Sequence, residues 1–258
     1  MSQEHRERSV RIPEDHPRYT SLIARNRLVE GIDKGLTSMH GLVAHGRGEA
    51  FDYLIGECST PTALVAERVA CAQLIRASHP IISVNGNASV LAGKELVQLS
   101  GVLDVPLEVN LFHYTEQRAE RIRQHLEHLG ASRILTERDA HIPQLSSERG
   151  QVSERGMYCA DVVLVPLEDG DRCERLVQMG KVVVAIDLNP LSRTSQMAHI
   201  TVVDELHRAL HSMLDCAPEL LDAPAHVLTE LIEGFDNRAN LRESLNAIEE
   251  HIRSQQLR

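Results

Sequence analysis

Apolar residues fall along this chain in two alternating rhythms. Five short runs, PIISV (Pro80–Val84), LEVNLF (Leu107–Phe112), DVVLVP (Asp161–Pro166), KVVVAID (Lys181–Asp187) and ITVV (Ile200–Val203), are mostly apolar with no clean polar alternation. Such runs fit strands buried on both faces of a parallel sheet. Ser132–Leu135 adds a shorter strand. Between them lie segments whose apolar residues recur three and four apart, the period of a helix. Arg18–Lys34 is one, through Leu22, Ile23, Leu28, Val29 and Ile32. Thr62–Ala77, Ser89–Leu103, Thr115–Leu129, Gly170–Met179 and Glu205–Leu214 read the same way. Thr115 offers an N-cap hydroxyl, but three residues later stands Arg118 rather than the Glu of a full capping box. Gly130 ends that helix.

Strands alternating with helices predict an α/β chain: a Rossmann-like, mostly parallel sheet flanked by helices. The glycine-punctuated segment Gly41–Gly56 is expected to form a short strand or turn on either side of HGRGE. Residues 136–158 are polar without a clear period and read as a long inserted loop, a feature that is often functional. From about Pro218 the pattern is helical only. Leu228, Leu231, Ile232 and Phe235 make one stripe, and Leu241, Leu245, Ile248 and Ile252 another. The expected organisation is a disordered tail at 1–11, a core at 12–217, and a helical segment at 218–258 that packs on the core or on a dimer partner.

Composition narrows the function classes. The 258 residues are 42% hydrophobic and 25% charged, ordinary for a globular protein. No stretch approaches the ~20 apolar residues of a membrane helix. The first ten residues lack the apolar core of a secretory signal, so a cytoplasmic protein without membrane contact is expected. A net charge of −10, 3% aromatics and no Trp argue against nucleic acid as a partner. Five cysteines without a CxxC read as free thiols. Fourteen histidines form no HExxH, and His125 and His128 read as a solvated helix face. Of 27 basic residues only Lys34, Lys94 and Lys181 are lysines. Arginine suits forked recognition of carboxylate and phosphate, although codon bias accounts for most of this excess.

Ligands of open α/β sheets gather at the carboxyl ends of the strands, so the polar strand ends carry the candidate chemistry. In VVVAIDLNPLSRT (Val182–Thr194), Asp187 stands at the strand tip, placed for a ribose hydroxyl or a metal. Asn189, Ser192 and Thr194 offer neutral hydrogen bonds, and Arg193 a fork for phosphate. In SVNGN, Gly86 between Asn85 and Asn87 permits close backbone approach or simply a tight turn. Gly46 and Gly48 flank Arg47. Glu168, Asp169 and Asp171 suit either water-mediated magnesium binding or helix capping. Standard phosphate motifs are absent. Gly180-Lys181 and Gly93-Lys94 do not complete a P-loop, and Gly46-Arg47-Gly48 lacks the third glycine of a dinucleotide fingerprint.

Six strings, HPRYTSLIAR, GLVAHGRGEAFDYLIGE, HPIISVNGN, LEVNLF, ADVVLVPLEDGDR and AIDLNPLSRT, taken in order, closely resemble the archaeal 4-phosphopantoate–β-alanine ligases, also called phosphopantothenate synthetases. The resemblance spans roughly residues 10–255. It implies a homodimer with a Rossmann-like core in coenzyme A biosynthesis. It also implies condensation of 4-phosphopantoate with β-alanine at the expense of ATP, giving 4′-phosphopantothenate, AMP and pyrophosphate. By position it places ATP on Arg25, Arg47, Asp187, Leu188, Asn189, Arg193, Thr194, Glu205 and Leu206. The family often has Asn where this chain has Glu205, so a backbone contact carries over there and a side-chain amide contact does not. Adenylation of a carboxylate gathers charge on the α-phosphate, which arginines and Mg2+ would stabilise. The reaction needs no protein nucleophile. Chemistry alone adds Asn85 and Asn87 as groups that orient phosphopantoate or β-alanine, and Arg18 as an anion site. The competing expectations are a ligase for unphosphorylated pantoate, a nucleotide-binding regulatory protein without turnover, and a nicotinamide dehydrogenase.

Overall fold

The computed structural model describes residues 12–145 and 147–255, so the expected tail at 1–11 lies outside the described residues. The strands are β1 (Pro80–Val84), β2 (Leu107–Val109), β3 (Ile134–Leu135), β4 (Ala140–His141), β5 (Gln151–Val152), β6 (Val162–Pro166), β7 (Val182–Ile186) and β8 (Ile200–Val202). Six of them form one sheet in the order β3-β2-β1-β6-β7-β8, and every pairing in it is parallel. This is the Rossmann-like α/β architecture expected, in the doubly wound order. The order reverses between β1 and β6, and a crevice opens beyond the strand tips at such a switch point.

Both faces of the sheet are covered, which is why its strands are continuous apolar runs. Ile82, Val84, Leu164, Val184 and Ile186 face α3 (Pro61–Arg76), α4 (Gly86–Leu103), α5 (Glu116–His128) and α8 (Leu206–Leu221). Their pleat neighbours Ile81, Val163, Val165, Val183 and Ala185 face α6 (Gly170–Gln178) and α7 (Arg193–Met197). Residues 136–158, expected as an inserted loop, share this second face. β4 and β5 pair antiparallel, and Ile142, Leu145, Val152 and Met157 are buried against the sheet. Glu108 of β2 anchors the segment: its carboxyl oxygens accept the Ser153 amide at 3.1 Å and the Met157 amide at 2.6 Å.

Two expectations change. Gly41–Gly56 is not a strand or turn: Met39–Ile55 forms one helix, α2, capped by Ser38 and ended by Gly56 at φ 97°. A glycine in a helix costs only about 1 kcal/mol, and Gly41 is there for contact. A Cβ would fall 2.3 Å from Asn87 Oδ1 and 2.6 Å from Thr37 Oγ1. His125 is not on a solvated face either; it is half-buried, with Nε2 3.2 Å from the Ser89 carbonyl. α1 (Tyr19–Asp33) packs on α4. The C-terminal stripes pack against the rest of the chain except at Ile252, which is exposed. α9 (Ala225–Glu233) packs on α3, while α10 (Asn237–Ser254) packs on α2, α3 and β8. Among the described residues no helix is long and apolar enough to cross a membrane, and the five cysteines are free.

Candidate active site

A cavity of about 980 Å³ opens at the carboxyl ends of β1, β2, β6, β7 and β8. The fold brings ten of the twelve expected site residues to its wall: Arg47, Asn85, Asn87, Asp187, Leu188, Asn189, Arg193, Thr194, Glu205 and Leu206. Arg18 lines a neighbouring cavity of about 590 Å³. Arg25 lines neither. It grips Glu49, which lines both, with Nε 3.0 Å from Oε1 and Nη2 3.0 Å from Oε2. Arg18 reaches the same carboxylate at 3.4 Å. Burial works against this carboxylate, but bonds from Ser21 and Arg25 outweigh it and hold its pKa below the usual range.

The turn after β7 is built around Asp187. Its carboxylate accepts the Asn189 amide at 2.9 Å and the Ser192 hydroxyl at 2.5 Å, while burial pushes its pKa up. Ser192 then caps α7. Asn189 uses Oδ1 on the Leu191 amide at 2.9 Å, which leaves its Nδ2 donors directed at no protein group among the described residues. Thr194 is buried, and its hydroxyl donates to the Glu168 carbonyl at 2.8 Å, tying the β6 and β7 ends together. Arg193 is exposed and already paired, at 2.5 Å with Asp171 and also with Glu174.

Glu205 caps α8, its Oε2 accepting the amides of His207 at 2.9 Å and Arg208 at 3.1 Å. Asn85 caps α4 through Oδ1 and donates from Nδ2 to the carbonyls of Pro166 at 2.9 Å and Leu167 at 3.2 Å. Asn87 donates to the Gly41 carbonyl at 2.8 Å and accepts the Thr37 hydroxyl. Both amides are committed to the protein, so they shape the wall rather than reach into it. Glu168 is buried on Arg172, and Asp169 caps α6 and pairs with Arg149 at 2.6 Å. Among the described residues, no group of three or more His, Cys, Asp or Glu is placed to hold a metal ion.

The far end of the cavity went unread in the sequence. There His40, Phe112, His113 and Arg118 line the wall, with Thr37 and Asn110. The one local signal is Arg118 in the position where a capping box has Glu. His45 joins the two cavities; among the described residues its buried Nε2 has no partner, and burial lowers its pKa.

The family model described as phosphopantothenate/pantothenate synthetase matches residues 62–251. The chain belongs to the phosphopantothenate/pantothenate synthetase family. A relative from Methanosarcina mazei is 51% identical over 243 residues, 94% of this chain and 96% of its own length. One from Thermococcus kodakarensis is 48% identical, covering 94% of each chain. One from Methanospirillum hungatei is 48% identical over 93% of this chain and 98% of its own length. All three are named 4-phosphopantoate–β-alanine ligases. The family match covers every strand of the sheet and leaves out α1 and α2. The relatives' alignments are longer than the family match.

Proposed function

We propose that the chain is an ATP-dependent ligase of coenzyme A biosynthesis that joins 4-phosphopantoate to β-alanine through an acyl-adenylate. The observation that carries this reading is one continuous cavity at the switch point of the sheet, reached by polar ends of five strands. That cavity is large enough for a nucleotide and an acid side by side. The names of relatives about half identical over nearly the whole chain supply the substrates.

In this reading ATP lies along the tips of β7 and β8. Asp187 and the Asn189 Nδ2 take the ribose edge, Leu188 and Leu206 offer apolar contact, and Arg47 and Arg193, with Arg25 behind Glu49, address the phosphates. Thr194 and Asn85 hold the strand ends together, and Asn87 holds α2 against the start of α4. A carboxylate oxygen of phosphopantoate attacks the α-phosphorus and pyrophosphate leaves. The β-alanine amine then attacks the acyl carbon, AMP leaves, and the amine gives up a proton. Positioning three substrates is itself a large contribution, up to ~7–11 kcal/mol when alignment is ideal. Asp187 and Glu168 are the acids at that end that would hold Mg2+, which would supply positive charge against the phosphates. The working form is a homodimer, which sedimentation tests directly.

The test is mass spectrometry of products from ATP, 4-phosphopantoate and β-alanine. The expected set is 4′-phosphopantothenate, AMP and pyrophosphate, formed only when all three substrates are present. ATP binding without substrate-dependent pyrophosphate would make the chain a nucleotide-binding regulator instead. ADP and phosphate as products would replace the adenylate with an acyl phosphate.

A further inference from the structure

Every acid on the cavity wall has a partner. Glu49 holds Arg25, Glu168 holds Arg172, Asp169 holds Arg149, and Asp187 is covered by the Asn189 amide and the Ser192 hydroxyl. Glu205 spends its carboxylate on the start of α8. Among the described residues Arg47 pairs with no acid, and at the opposite end Arg118 has no such match either. Its Nε donates to the Leu36 carbonyl at 3.2 Å and its Nη1 to the His113 carbonyl at 3.1 Å. Both acceptors are neutral. Among the described residues its Nη2 meets no acceptor and no carboxylate pairs with it. Burial alone shifts this guanidinium, downward, and no acid opposes the shift.

A guanidinium does not shed its proton inside a protein. A half-buried one that two carbonyls hold, with its open edge on a cavity, is therefore prepared for an anion from outside. The setting supports this. His40 and His113 line the cavity with it, their ring centroids 5.1 Å apart. Gly86 gives the guanidinium its room: a Cβ there would lie 3.1 Å from Nη2 and 2.5 Å from the Leu36 carbonyl. Two subsites then flank the β1–β6 switch point. One, at the β7 and β8 tips, faces ATP; the other, at Arg118, lies where the second substrate would extend.

We propose that Arg118, with His40 and His113, clamps the phosphate monoester of the acid substrate and so selects a phosphorylated acid over its unphosphorylated counterpart. The acid's identity rests on the ligase reading; the anion site does not. The family description covers synthetases of both phosphopantothenate and pantothenate, and this clamp places the chain with the former.

The experiment measures kcat/KM for 4-phosphopantoate and for pantoate in the wild type, in Arg118→Met and in Arg118→Lys. The wild type is expected to favour the phosphorylated acid. Losing charge-assisted bonds should lower the ratio of the two values about 10- to 100-fold in Arg118→Met. Arg118→Lys, which keeps the charge and loses the fork, should fall between. A structural role alone would depress both acids alike and keep the ratio; that result, or an unchanged ratio, overturns the clamp. Should Arg118→Met not fold, the lysine variant decides by the same ratio. Calorimetric titration with 4-phosphopantoate alone separates the two readings. Binding lost in Arg118→Met without any amide formation in the wild type sustains the clamp and sinks the ligase. Absent binding in the wild type, or equal binding in both proteins, sinks the clamp.

Discussion

Two of the regions that hold a charged residue type with no counter-charge among the described residues resolve it in opposite ways. At the far end of the cavity Arg118 faces open space with only carbonyls for company. In the seam between α3 and α8, Glu67 is fully buried next to Ser212 and Asp204, and among the described residues no cation pairs with it. Burial first, and Asp204 beside it, raise the Glu67 carboxyl to about 8. A glutamate can escape an apolar setting by keeping its proton. An arginine cannot. An unmatched acid in a sealed seam is thus a neutral group, whereas an unmatched arginine on a cavity remains a charge that a ligand can answer.

The matched pairs set the scale against which that difference is judged. Arg172 and Glu168 are buried together at 3.5 Å, and Arg172 also donates to the Arg149 carbonyl at 2.9 Å. Arg172→Met leaves Glu168 buried alone and should cost about 3–5 kcal/mol of unfolding free energy in urea. Burial already pushes the Glu168 carboxyl upward, so the loss should be larger at pH 8 than at pH 5. A loss below about 1 kcal/mol, the size of an exposed pair, would mean that the pair does not neutralise the site.

Glu67 supplies the next largest effect. Its folded value near 8 lies above the unfolded value of 4.5. The stability that the neutral form confers is therefore whole below pH 4.5 and is lost as pH rises through about 8. Glu67→Gln cannot ionise. Its melting temperature relative to the wild type should climb between pH 5 and 8 by roughly 4–8 °C, for a differential on the order of 2 kcal/mol. A constant difference across that range would show that Glu67 is charged in the fold, and the contrast with Arg118 would collapse.

The sheet was legible because strands buried on both faces leave unbroken apolar runs, and β1, β6 and β7 fall inside the expected stretches. Thr115, Gly130 and the turn after β7 were legible for the same local reason. α2 was not. Its three glycines argue against a helix locally, and what holds it, α10 on one side and Asn87 on the other, is distant in sequence. Residues 136–158 were unreadable because Ile142, Leu145, Val152 and Met157 cover the sheet with no period. The β7 end of the cavity could be named because a strand tip carries its ligand groups in one string. The Arg118 end could not, because its parts, Leu36, Gly86 and His113, come from three separate stretches of the chain.

Arg193 offers the smallest effect and the finest test. It shares the cavity with Arg118 but is already matched, to Asp171 and Glu174, and its side chain is 56% exposed. A phosphate arriving there competes with two carboxylates, in water that screens all three. Replacing the fork by a point charge in Arg193→Lys should therefore raise the KM for ATP only about fivefold and leave kcat near the wild-type value. The rise should shrink further in high salt. Arg118 and Arg193 then differ as matched and unmatched arginines should, by roughly an order of magnitude in what each loses. If Arg193→Lys instead cost 100-fold in ATP use, its carboxylates would have to release it when ATP binds. A counter-ion seen in the free protein would then say nothing about which arginine awaits the ligand.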